Sequence, residues 1–309
     1  MNFLTLLGKM VVLFAFVAVG LICQKLNILD AHASEKVNKL VLYICAPSLI
    51  IKSVFGAEVP YAVPQLLLLI GYGLGYNIIS LLLALVLVRI IRPAREDRST
   101  ETFLLTYANC VFMGFPVISA VFGKEAILLA SVCTLPYNFF LYIVGVMLLS
   151  GRGDMKQVVR KAVLNPSFFA TLLSLVIFFS HVSVPAAVQD IFIYLGDMVV
   201  PLAMMLIGAS LGTVSLREIF TDKRTYLVSL LRLIVMPLII ALIARLVVRE
   251  PMFRNLIIVF AVMPSAAVSP IFAAEYGGEP LLASKSVFMS TLFSLITVPI
   301  LLSFLLTVP

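Results

Sequence analysis

Residues Asn109 to Val117 read NCVFMGFPV, and they lie inside a long apolar run. Asn109 is polar, Gly114 weakens a helix interior, and Pro116 has no backbone N–H to donate. In water, solvent repairs such a break. In lipid it does not, and a freed backbone group is costly unless it is buried in protein or lines a wet cavity. Two readings compete: a proline kink used only for packing, and an unwound turn that builds a site.

The surroundings establish the class. Of 309 residues, 62% are hydrophobic and 12% charged, and the mean hydropathy is +1.15. Soluble domains carry about 25% charged residues, so the chain cannot build a polar shell around a core of this size. It reads as an all-α polytopic membrane protein. The net charge of +7 then describes loops and topology rather than nucleic-acid binding, and the partner surface is membrane lipid. The N-terminal run reads as a first span rather than a cleaved signal, because Ile22-Cys23-Gln24-Lys25 offers no small residues for a cut site. Cys23, Cys45, Cys110 and Cys133 are scattered through apolar segments without metal spacing. Gly208-Ala-Ser210-Leu-Gly212 matches G-x-S-x-G, but it ends a transmembrane segment, and His32 and His181 fall in loops. With no nucleotide or metalloprotease motif either, the chain is not read as an enzyme, and no cofactor is expected.

Hydropathy gives ten spans, at roughly 4–23, 38–56, 64–88, 102–121, 125–149, 163–181, 188–212, 226–247, 254–274 and 281–306. The loops after odd-numbered spans hold fourteen Lys and Arg, and the other side holds six. The positive-inside rule makes the first side cytoplasmic and puts both termini outside the cytoplasmic membrane. The cluster Arg245, Arg249 and Arg254 runs against the count without reversing it.

A repeat runs through these spans. Pro47 and Pro201 are 154 residues apart (201 − 47), and so are Pro116 and Pro270 (270 − 116). FGKEAILLA at 122–130 and YGGEPLLAS at 276–284 align at the same offset. Five spans per copy is an odd number, so the second copy enters the membrane from the opposite side. The division is 1–150 and 163–309, with a cytoplasmic linker at 151–162. In inverted-repeat transporters the site lies where matched Gly/Pro-interrupted segments meet near the midplane. Here these are NCVFMGFPV in span four and MPSAAVSPI (263–271) in span nine. The candidate binding residues are Asn109, Met113, Gly114 and Pro116 with Pro264, Ser265, Ser269 and Pro270. Gly114 and Pro116 are expected to unwind a turn. The N-terminus of the helix restarting after each break, with Asn or Ser beside it, then suits a carboxylate.

Charged residues inside spans are the other candidates. Asp197, four residues before Pro201, is a candidate for proton or sodium coupling. Arg232 in span eight either attracts an anion or snorkels to headgroups. Gly71, Gly73 and Gly75 in span three are read as a close-packing face.

The order of these motifs resembles the auxin efflux carrier family, which includes plant auxin exporters and bacterial permeases, some linked to malate or malonate. The resemblance rests on NCVFMGFPV followed by FG, NPSFFATLLSLVI, PLAMMLIGASL, LRLIVMPL and MPSAAVSPIFAAEYGGEP running on to STLFSLITVP, and it covers nearly the whole chain. It implies ten helices in two inverted five-helix repeats. It also implies a scaffold of spans 1, 2, 6 and 7, and a transport unit in which spans four and nine cross as broken helices. Plant members carry a long insert between the halves, where this chain has only GRGDMKQVVRKA. The expected function is secondary transport of a small organic anion, a mono- or dicarboxylate, by alternating access. The alternatives are a sodium-coupled organic-anion symporter of related fold, an uncoupled facilitator and a metabolite sensor. Assembly is left open between monomer and homodimer.

Overall fold

The computed structural model describes residues 3–55, 61–150, 166–180, 182, 184–212 and 221–306. The expected linker at 151–162 lies outside these residues. Among the described residues every regular element is a helix, joined by short turns and irregular segments, apart from one isolated backbone bridge. Four helical runs are long and apolar enough to cross a bilayer: Val63–Ile91, Ala186–Ala209, Lys223–Val247 and Pro280–Leu305. Their outer faces carry exposed Leu67, Leu82, Leu246, Ile296 and Phe304, as a lipid-facing surface requires. Two further apolar helical stretches, Cys110–Phe122 and Pro251–Val262, are shorter because the chain breaks beside them.

In chain order the first helices are α1 (Phe3–Lys25), α2 (Ala31–Leu40), α3 (Ala46–Lys52) and α4 (Val63–Ile91). Then come α5 (Arg98–Thr106), α6 (Phe115–Phe122), α7 (Ala126–Phe140) and α8 (Val146–Ser150). After the undescribed stretch follow α9 (Pro166–Ser180), α10 (Ala186–Asp197) and α11 (Val199–Gly212). The last are α12 (Lys223–Leu230), α13 (Met236–Val247), α14 (Pro251–Val262), α15 (Ser269–Tyr276) and α16 (Pro280–Leu305).

Prolines account for three of the interruptions. Wide π-turns occupy Val41–Cys45, Cys110–Gly114 and Leu231–Val235, and each is followed at the second position by Pro47, Pro116 or Pro237. A proline ring clashes with the carbonyl four residues back and donates no bond to it. The preceding turn widens instead, so that Ala46, Phe115 and Met236 donate to Val41, Cys110 and Leu231, five residues back. α6 and α15 have eight residues each and stand 154 residues apart at both ends (269 − 115, 276 − 122). Each stops at a glycine with positive φ, 92° at Gly123 and 87° at Gly277, a conformation costly for any residue with a Cβ.

Two groups of helices pack internally. In the first, α1 lies against α11, and α3 against α9 and α10. Gly20 and Gly208 set the α1–α11 approach, where an added Cβ would stand 2.0 Å from the Met205 carbonyl oxygen and 1.9 Å from that of Val17. Lys52 on α3 pairs with Asp197 at the end of α10. In the second group α4 packs on α5 and α7, α13 on α14, and α16 on α12 and α15. Only the middle glycine of the Gly71–Gly75 motif serves this packing. A Cβ on Gly73 would lie 2.0 Å from the Cys133 carbonyl oxygen on α7, whereas Gly71 and Gly75 have open space. Gly71 and Gly75, four residues apart, share one face of α4, and Gly73 stands on the opposite face, which meets α7.

The motif therefore separates in a stability test. Gly73→Ala lowers stability by about 1–3 kcal/mol through overpacking, and Gly71→Ala leaves it unchanged, as measured by thermal unfolding in detergent.

Candidate functional site

The helix entering the NCVFMGFPV region ends before that motif's glycine and proline. α5 stops at Thr106, and Tyr107 is extended (φ −97°, ψ 116°). α14 stops at Val262, and Met263 is extended (φ −68°, ψ 147°). The two opened segments meet as an antiparallel bridge between Ala108 and Ser265. The Asn109 N–H donates to the Pro264 carbonyl at 2.9 Å, and the Ala266 N–H donates to that of Tyr107 at 2.9 Å. Each break thus supplies hydrogen-bond partners for the other, the internal satisfaction that a low-dielectric interior demands.

Side chains cap the remaining carbonyls at the end of α5. Ser265 Oγ donates to Leu104 O at 3.0 Å, Arg232 Nη1 to Leu105 O at 3.1 Å and the Tyr137 hydroxyl to Ala108 O at 2.8 Å. The Tyr76 hydroxyl donates to Phe260 O on α14 at 3.3 Å. The Ser265 N–H reaches Ser290 Oγ at 3.4 Å, and Ser294 Oγ lies 3.8 Å from Met113 Sδ. Ser269 Oγ donates to Ala266 O at 2.6 Å.

This geometry corrects one expectation. Gly114 and Pro116 do not unwind the chain. Gly114 is helical (φ −63°, ψ −48°) inside the π-turn, and Pro116 is the second residue of α6, as Pro270 is of α15. The unwinding falls at Tyr107–Asn109, before the proline. Gly114 instead makes room for α14, since a Cβ there would touch the Phe260 ring at 3.2 Å. Some of the freed N–H groups are consumed. Those of Asn109, Cys110, Ser265, Ala266 and Ser269 are already bonded within the crossing.

What remains unused is side-chain chemistry. Asn109 is 3% exposed, and its Nδ2 has no partner. Arg232 is 0% exposed, so it does not snorkel. Its Nε and Nη2 have no partner, and the groups within electrostatic reach of it include the Tyr76 and Tyr137 hydroxyls and the Cys110 thiol. Among the described residues no carboxylate pairs with it. Asp197 stands elsewhere, 64% exposed and paired with Lys52.

A cavity of about 340 Å³ runs from α2 to the crossing. Its walls include Ser34, Glu35 and Asn38 of α2, Ala203 of α11, Phe112, and Val268 and Pro270 at the second break. Near its α2 end Lys39 pairs with Glu35 at 2.6 Å and holds that carboxyl below the usual range. A larger hollow of about 420 Å³ between α4 and α7 is lined by Ile70, Leu74, Pro136 and other apolar side chains, and nothing there binds a charge. At the far end of α5, Arg224 joins the buried Glu101 and reaches Asp97 at 3.3 Å, and Lys285 lies 3.8 Å from Asp222.

Sequence reasoning found Asn109, Pro264, Ser265, Ser269 and Pro270 because polar and helix-breaking residues stand out in an apolar run. It missed Tyr76, Tyr137 and Ser290. Ser286, Ser290 and Ser294 recur every four residues on one face of α16, all 0% exposed, and that spacing was a readable signal. The tyrosines carried none, since a phenol on an apolar helix looks like core.

Apolar helices long enough to cross a bilayer thus enclose a mutually bonded double break and a buried cation, as in a polytopic membrane protein. The family comparison agrees. The model described as "Membrane transport protein" matches residues 5–158 and 154–302, and the chain belongs to this family, that of the auxin efflux carriers. It is 28% identical over 291 residues to an "Uncharacterized transporter" of Methanothermobacter thermautotrophicus, covering 92% of this chain and 93% of that one. It is 25% identical over 299 residues to another from Methanocaldococcus jannaschii, covering 93% and 94%. It is 22% identical over 300 residues to a "Putative malonate transporter" of Rhizobium meliloti, covering 94% and 93%. The family and these relatives are transporters, not enzymes.

Asp197 and Lys52 form a half-exposed pair, and such pairs contribute about 0–1 kcal/mol. Asp197→Asn therefore shifts thermal unfolding only slightly, as measured in detergent.

Proposed function

We propose that the protein is a secondary carrier that moves a small organic anion, a mono- or dicarboxylate, across the cytoplasmic membrane by alternating access. The observation that carries this reading is the buried crossing, which holds one fixed positive charge and, among the described residues, no carboxylate to neutralise it. A neutral or cationic substrate would leave that charge uncompensated, and an unpaired buried charge is costly. The relative described as a malonate transporter points to the same substrate class.

The architecture in this proposal is ten spans in two inverted repeats, 1–150 and 163–309, with both termini outside. The equal lengths of α6 and α15, their constant offset and their matching terminal glycines support it. The group of α1, α3, α9, α10 and α11 is the scaffold, and the helices around the crossing are the moving unit. The cavity lies between them, walled by α2 and α11 on one side and by the break of the moving unit on the other. Its α2 end belongs to the side that the Lys and Arg distribution makes cytoplasmic, so the cavity is the inward-facing path. Asn109 places the substrate with its free Nδ2, Ser265 and Ser269 stand beside it at the second break, and Met113, Gly114, Pro116, Pro264 and Pro270 shape the helices around the crossing.

A flux assay tests this with purified protein in proteoliposomes, using labelled malonate, succinate, acetate and benzoate with and without sodium or a proton gradient. At least one of these anions is taken up against its gradient, and Asn109→Ala abolishes that uptake with expression intact. Accumulation by the variant at the wild-type rate removes Asn109 from the site. Flux that never exceeds equilibration makes the protein a facilitator, and binding without flux makes it a sensor.

A further inference from the structure

The two unused nitrogens of Arg232 are not an arbitrary pair. A guanidinium presents its five N–H groups in a rigid planar fork. Nη1, on the side of the arginine stem, is taken by the Leu105 carbonyl at 3.1 Å. Nε and Nη2 share the opposite edge, where their N–H bonds run parallel; neither makes a regular hydrogen bond, and the group that interacts with the guanidinium is the neutral Tyr76 hydroxyl. Two parallel donors match the two oxygens of one carboxylate in a bidentate pair. The side chain is fully buried and cannot shed its proton, so the charge persists whether or not the edge is filled.

The neighbourhood leaves the compensation incomplete. The end of α5 contributes the Leu105 carbonyl and the partial negative charge of a helix C-terminus, equivalent to about half a charge. The Tyr76 hydroxyl, which donates to the Phe260 carbonyl at 3.3 Å, also interacts with the guanidinium and with the buried Ser80 Oγ, neither of them at regular hydrogen-bond geometry. Neutral hydroxyls orient dipoles but do not cancel a unit charge. Asn109 Nδ2, one residue before Cys110, is a further buried donor without a partner at the crossing.

We propose that Arg232 is the carboxylate receptor of the carrier, and that its Nε/Nη2 edge takes one carboxylate of the transported anion side-on. The proposal rests on the organic-anion reading and adds to it the receptor group, the geometry and the charge count. One carboxylate completes the site. A second carboxylate on the same substrate finds no equivalent cation there and stays toward the cavity. Arg232 does not line the cavity, whose wall at the first break is Phe112. The carboxylate therefore reaches the fork only as the helices around the crossing shift, which makes occupancy of Arg232 part of the alternating-access movement.

The test is ligand-dependent thermal unfolding and calorimetric binding of the full chain in detergent. The probes are malonate, its monoamide malonamate, its diamide malonamide, phenylacetate and phenylacetamide. In the wild type malonamate binds like malonate, and each amide without a carboxylate binds about tenfold or more weaker than its acid. In Arg232→Gln that acid-to-amide ratio falls to about one. Arg232→Lys keeps the charge but not the fork, and it recovers only a small part of the ratio. A merely structural Arg232 would lower the unfolding temperature of the unliganded variants and leave the ratio untouched. The proposal is overturned if wild-type protein binds amides as tightly as acids. It is equally overturned if a folded Arg232→Lys keeps the full ratio, or if chloride alone stabilises the protein as much as the carboxylates do. Should Arg232→Gln fail to fold, the wild-type comparison and Arg232→Lys still decide. Carboxylate flux that is indifferent to Arg232 sinks this inference alone, whereas the absence of any carboxylate binding or flux sinks the organic-anion reading with it.

Discussion

A backbone polar group in hydrocarbon has no water to turn to, and the structure depends on how that demand is met at one place. The breaks at Tyr107–Asn109 and at Met263–Val268 would each be untenable alone. Paired through the Ala108–Ser265 bridge, they share two backbone hydrogen bonds, and the surrounding helices cap much of what is left. Tyr76, Tyr137, Ser265 and Arg232 all spend a donor on a carbonyl that a broken helix released. The crossing is thus a small piece of β-pairing that holds two helices open at the centre of an otherwise helical protein.

Around it the helices must approach closely enough to exclude lipid and water. Small residues make that possible at Gly20, Gly73 and Gly208, where backbone meets backbone. The prolines are a separate device. Pro47, Pro116 and Pro237 each widen the turn before them into a π-turn without breaking the helix. A wide turn redirects side chains, and two of these turns carry Arg232 and Phe112, one at the crossing and one on the cavity wall. The strain of an irregular helix is placed where function needs side chains turned inward, which is the usual distribution of such turns.

Much of this was legible before any coordinates. Asn109, Pro264, Ser265 and Ser269 announce themselves because polar and breaking residues are conspicuous against leucine and valine, and the constant offset between the two halves links them. Arg232 was visible as a charge in an apolar span, but not as a cap on Leu105, because a carbonyl has no letter in the sequence. Asp197 looked equally significant as an intramembrane carboxylate. Its pairing with Lys52 depends on α3 and α10 lying side by side, which no local pattern encodes. The triplet Gly71, Gly73 and Gly75 is a similar case, since only the partner helix decides which of the three is in contact.

Hydropathy, charge and backbone capacity are properties of short stretches. The sequence by itself therefore determined the membrane class, the approximate position of the breaks and the membership of a transporter family. The tertiary structure decided where the helix opens, which freed groups are consumed by the opposing break and which donors are left over. Those outcomes depend on hydrogen bonds between segments far apart in the chain, and such bonds exist only after packing has brought the segments together. The unpaired edge of Arg232 is the clearest instance. Its charge is written in one residue, and which of its donors are bonded is decided by the distant segments that pack around it.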